Sequence, residues 1–128
     1  MLNIEIKEIR HREQRYETVG DYFLKKSKIC FRISHMKDWR YVVLVAVHEL
    51  VEWAIVKRQG ISIKEIDAFD IQYEKDREQG IHTEDTEPGD DPKAPYFYAH
   101  QLATKIEKEL ALALQVDWYQ YDEVVMSL

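Results

Sequence analysis

Residues 41–56 read YVVLVAVHELVEWAIV, a run that is apolar apart from His48, Glu49 and Glu52. No other stretch restricts the fold as much. From Trp39 to Gln59 the pattern is helical, with Asp38 placed to cap the start and Gly60 to close the end. The helix is apolar around nearly its whole circumference, so it is expected to be buried on most sides. It is too short an apolar run for a membrane span, and it carries three ionisable groups. At about 100° per residue, those three groups fall within an arc of about 100°, and His48 and Glu52 sit one turn apart on a shared face. A carboxylate in an apolar interior costs several kcal/mol unless a cation, a metal or hydrogen-bond donors answer it. The nearest basic residues, Arg40 and Lys57, lie at the helix ends.

The rest of the chain predicts an α+β fold: a small antiparallel sheet of about three strands followed by three helices. LNIEIKEI and KICFRIS alternate apolar and polar residues with the period of half-buried strands, and Gly20-Asp21 between them is a turn candidate. A second helix starts at Ser62, where SIKE forms a capping box, and runs to about Glu78. A third runs from near Pro95 to about Val116, with Leu102, Ile106, Leu110 and Ala113 as its expected apolar seam. An aromatic tail of Trp118, Tyr119 and Tyr121 is expected to pack against the body. Residues 79–95 carry all three prolines and two glycines in an acidic setting, which predicts a functional lid or a disordered linker rather than a core element. At 128 residues the chain is read as a single domain, 1–128.

Charge and cysteine usage narrow the function classes. Residues 1–40 hold ten Lys/Arg against six Asp/Glu, and the remainder holds eight against eighteen. That acidic balance disfavours duplex nucleic acid as a partner. The N-terminal MLNIEIKEIR lacks an apolar run of signal-peptide length, and the single Cys30 cannot form an intrachain disulfide. The expectation is a cytoplasmic protein with no membrane partner. An oligomer is compatible with this composition.

Two carboxylates beside an imidazole form a site that attracts a divalent cation, and the later helices offer further donors. In IDAFDIQY the apolar stripe is Ile63, Ile66, Phe69 and Tyr73. Asp70 projects within it, and Asp67 lies at its edge. In YAHQLATKIEKE, His100, Thr104 and Glu107 share one face. His48 and Glu52 are candidate ligands, with His100 or Asp70 completing the set and Asp67 or Glu107 as alternatives. The bland alternative is a satisfied core histidine with glutamates paired to lysines.

HELVE resembles the H-E-x-x-H motif of zincin metallopeptidases, with Glu52 in place of the second histidine. The resemblance implies His48 as a zinc ligand, Glu52 as a substituted ligand and Glu49 as the general base that activates water. His100 is a proposed third ligand that the motif itself does not define. Glu49-x-x-Glu52 followed by Asp67-x-x-Asp70 also resembles the E-x-x-E … E-x-x-D pattern of MazG-type nucleotide pyrophosphohydrolases, which would imply Mg²⁺ or Mn²⁺. The order of the HELVE, DAFD and PGD…APY segments is similar to that of small uncharacterised phage and prophage proteins.

The expectation is therefore a zincin-like metal-dependent hydrolase, with zinc as the favoured cofactor and a peptide, an amide or a nucleotide as substrate. The alternatives are a MazG-like nucleotide pyrophosphohydrolase and a non-catalytic phage-type regulatory or binding protein with a structural metal site.

Overall fold

A computed structural model describes all 128 residues. The order is strand β1 (Ile4–Ile9), a 3-10 turn (His11–Glu13), strands β2 (Gly20–Lys25) and β3 (Lys28–Ser34), then helices α1 (Trp39–Gln59) and α2 (Ile63–Glu78). After a second 3-10 turn (Pro88–Asp90) come α3 (Phe97–Ala113) and α4 (Trp118–Met126). No helix is long and apolar enough to cross a membrane.

The fold is α+β, as the sequence predicts, but the sheet is mixed. Its order is β1-β3-β2, with β2 antiparallel to β3 and β1 parallel to it. The hairpin turn is Lys26-Ser27, not Gly20-Asp21. Lys26 takes the left-handed conformation (φ 59°) that two-residue hairpin loops favour. Gly20 and Asp21 instead open β2 as buried residues. The segment 10–19 then carries the chain back so that β1 runs alongside β3 in the same direction. A period-2 pattern reveals a strand but not its neighbour, so it carries no sign of the parallel β1–β3 pair.

Helix boundaries follow local chemistry. Asp38 accepts the Arg40 N–H at 2.9 Å, and Gly60 closes α1 at φ 74°. Ser62 and Glu65 form the reciprocal capping box of α2. The aromatic tail is a helix in its own right, α4, capped by Asp117 and anchored by the buried Tyr121.

The buried seam of α3 is Ala99, Ala103, Glu107 and Ala111, with His100 beside it; Ile106 and Ala113, expected in the seam, are exposed. The small side chains at four-residue spacing let α3 lie close along α1, its main partner. Two apolar clusters result. Phe31, Trp53, Val56 and Ala99 belong to one, while Ile33, Leu44, Val45 and Ala111 belong to the other. Between them, along the α1–α3 contact, the buried side chains are polar: His48 and Glu52 from α1, His100 and Glu107 from α3.

Candidate metal centre

His48 and Glu52 lie on the α1 face that meets α3, and both are buried. Across the contact stand His100 and Glu107, two turns apart on α3 and also buried. His48 Nε2, His100 Nδ1 and Glu52 Oε2 form a nearly equilateral triangle. The sides are 3.1 Å between the two nitrogens, 3.2 Å from His48 to Glu52 and 3.1 Å from His100 to Glu52. In a tetrahedral zinc site with bonds of about 2.0–2.1 Å, ligand atoms lie about 3.3 Å apart. The three atoms already have the spacing of one face of such a site.

The outward nitrogens fix what points inward. His48 Nδ1 lies 2.7 Å from Glu107 Oε1, and an ionised carboxylate can only accept, so this nitrogen carries the proton. His100 Nε2 faces Asp90 at 3.3 Å and Glu87 at 3.4 Å, two carboxylates that favour a proton on that side. In these tautomers, the form metal binding requires, each imidazole would turn a lone pair toward the Glu52 oxygen. Three lone pairs aimed at one point need a positive charge between them, either a proton donated to Glu52 or a metal ion. The carboxylate behind each imidazole is the usual outer support of a metal-bound histidine.

Further contacts hold the frame. The Tyr22 hydroxyl donates to Glu52 Oε1 at 2.9 Å, leaving Oε2 for the centre. Tyr121 of α4 donates to Glu107 Oε2 at 2.5 Å. The loop comes in from above. A Cβ on Gly89 would lie 2.5 Å from the His100 ring, so the Pro88–Asp90 turn rests on the imidazole and only glycine fits there. The loop is tied down in turn by Arg77, which donates to the Thr83 and Thr86 carbonyls at 2.6 and 2.8 Å.

Electrostatics match the geometry. Burial opposes a charge on His48, but Glu107 and Glu52 outweigh it and push its pKa up to about 10. Burial likewise opposes a charge on His100, which Asp90, Glu52 and Glu87 push up to about 12. Glu52 is held well below the usual carboxylate range because the two imidazoles outweigh its burial. The metal-free site thus holds a proton tightly. Two would place N–H groups nose to nose at 3.1 Å, so one shared proton is the arrangement the geometry supports.

Glu49, one residue after His48, takes no side-chain hydrogen bond or ion pair. Its side chain lies against the Gly20 backbone, where a Cβ would come within 2.7 Å of Glu49 Oε1. Burial, and then the Glu52 charge, push its pKa well up. Both Glu49 and the centre line a cleft of about 630 Å³ that also takes in Asp67, Asp70 and Trp118.

Of the residues singled out in the sequence, His48, Glu52 and His100 are brought together as one group able to hold a metal ion. Glu107 stands behind His48 rather than in the triangle. Asp70 is buried on the cleft wall, with Oδ1 accepting from Tyr96 at 2.5 Å and Oδ2 from Tyr16 at 3.4 Å. Asp67 pairs with Arg15 at 3.4 Å. Sequence reasoning did not find Tyr22, Gly89, Glu87 or Asp90 as parts of the site. The loop residues had one legible signal, a Pro-Gly-Asp turn in a segment read as a lid or a linker. The chain matches no protein-family model, no curated protein and no solved structure.

Proposed function

We propose that this chain is a metal-dependent hydrolase whose ion is held by His48, Glu52 and His100. The observation that carries the reading is the triangle of donor atoms 3.1–3.2 Å on a side, each imidazole backed by a carboxylate. Two nitrogens and one oxygen suit Zn²⁺ or a neighbouring transition metal better than Mg²⁺, which prefers oxygen ligands throughout. When bound, the ion supplies Lewis acidity and lowers the cost of removing a proton from water.

The chain's own residues do the rest. Glu49 has no partner and a raised proton affinity, the properties of a group that accepts a proton from water in the cleft and later returns it. Tyr22 fixes the Glu52 carboxylate, and Glu107 and the loop carboxylates keep both imidazoles in the binding tautomer. The zincin-like order of ligand then base, His48-Glu49, fits this division of labour.

Zinc-loaded protein assayed on peptide, amide and nucleoside triphosphate substrates should hydrolyse one class. Glu49→Gln should keep the metal and lose about 10²–10⁴-fold in rate. Loss of the metal in that variant, or unchanged turnover, would remove Glu49 from the role. One observation favours a second reading, a structural metal in a non-catalytic binding protein: His48, Glu52, His100 and Glu107 are all more than nine-tenths buried. Zinc-loaded protein that is folded but inert on every substrate class would support that reading.

A further inference from the structure

β1 lies at the edge of the sheet, and its outer rim has no partner. The Asn3 and Ile9 carbonyls accept from the Ile29 and His35 N–H groups of the β3 side, at 3.0 and 2.7 Å. Peptide groups at odd positions therefore turn toward β3, and those of Ile4, Ile6 and Glu8 turn outward. Their side chains are also uncovered. Ile4 and Ile6 stand in register with the fully buried Ile29 and Phe31, on the face that α1 covers. α1 packs mainly over β2 and β3, leaving Ile4 40% and Ile6 51% exposed.

Natural edge strands are usually blunted by a proline, a bulge, charged side chains such as lysine, or short length. β1, IEIKEI, has no proline or bulge, and its charges, Glu5, Lys7 and Glu8, are of both signs, so a second copy in the right register answers the one lysine rather than being repelled by it. We propose that β1 is a self-association edge, pairing antiparallel with β1 of a second copy about a two-fold axis through Ile6.

The register follows from the strand itself. Only positions 4, 6 and 8 offer outward peptide groups and these must face one another, which admits an axis through any residue from 4 to 8; through Glu5 or Lys7 it sets like charges directly opposite each other. An axis through Ile4 gives a short overlap. An axis through Glu8 sets two glutamates directly opposite each other. An axis through Ile6 pairs Ile6 with Ile6, Ile4 with Glu8, and Glu5 with Lys7 twice over. In that register Glu5 and Lys7 form non-hydrogen-bonded pairs, where side chains come closest and opposite charges attract. Lys7 is exposed and makes no ion pair within the chain, while Glu5 already pairs with Lys28 at 3.0 Å and Arg32 at 2.6 Å, so Lys7 of the second copy would join that cluster as a third cation. The rim is at the opposite edge of the sheet from β2, which lines the cleft, so the pairing leaves the metal centre open and does not depend on the proposed function.

Sedimentation equilibrium on the full chain across low to high micromolar concentrations, with amide hydrogen exchange, tests the pairing. The wild type should dimerise, with the Ile4, Ile6 and Glu8 amides gaining protection as concentration rises. Ile6→Pro removes an outward N–H and no in-chain bond, so it should give a folded monomer. Lys7→Glu sets like charges opposite each other twice and should weaken the dimer about tenfold or more, without touching the fold. A wild type that stays monomeric throughout, or a dimer that both variants leave intact, would overturn the proposal.

Discussion

Asp70 carries the clearest cost at the residue scale. Burial pushes its pKa up to about 7, with the Glu52 charge adding to the rise, against hydrogen bonds from Tyr96 and Tyr16 that act the other way. A carboxyl whose folded pKa lies above its unfolded value binds its proton more tightly when folded. The fold therefore loses stability as pH rises from about 4 to about 7 and stays lower above that. Asp70→Asn keeps an acceptor for Tyr96 and cannot ionise. In chelator-treated protein it should be more stable than wild type by on the order of 1–2 kcal/mol at pH 8, with the gain vanishing below about pH 4. Denaturant unfolding at the two pH values measures this. A loss of stability at pH 8 would mean that the charged form of Asp70 is needed, as it would be if this carboxylate were itself gripping a cation.

Among the elements, the loop and α4 act as clamps on α1 and α3. The Pro88–Asp90 turn seats Gly89 on the His100 ring. Gly89→Ala must move either the turn or the imidazole, and metal affinity should fall about 10–100-fold, the range typical for outer supports of metal ligands. α4 acts through Tyr121 and Glu107 on His48. Glu107→Gln should cost a similar factor, and Tyr121→Phe less, because Glu107 keeps its bond to His48. Competition titrations against a zinc indicator would rank the three. Equal affinities in all of them would show that the triangle does not depend on its surroundings. These clamps were hidden from the sequence for a physical reason. The His48–Glu107 contact spans 59 residues and depends on how α1 and α3 are rotated against each other. The large apolar residues Leu102 and Ile106 draw the expected seam of α3 to the wrong face, whereas small residues at multiples of four, Ala99, Ala103 and Ala111, mark the buried one. Local signals suffice for the α1 limits, the capping box at Ser62 and the anomaly of His48, Glu49 and Glu52.

At the scale of the whole molecule, the polar centre divides the core into two apolar clusters, and the cleft opens from that division. The sequence made the α+β class and the anomaly of the His48–Glu52 pair on α1 legible, because a greasy helix with an imidazole and two acids has few ways to be satisfied. It left open which residue of a later helix joins that pair, since that required the packing of α3. The same centre links metal and protons. Free imidazoles held at pKa values of about 10 and about 12 keep a proton in the centre at neutral pH, and a metal must displace it. Zinc affinity should therefore rise by roughly tenfold per pH unit from pH 6 to 8, one proton leaving per ion bound.

The most direct test is calorimetric titration of Zn²⁺ into chelator-treated protein at pH 7, run in two buffers of different ionisation enthalpy. The account requires one sub-micromolar site per chain with release of about one proton, abolished by His48→Ala and by His100→Ala in folded protein. No binding at tens of micromolar zinc, or full binding in both variants, would contradict it.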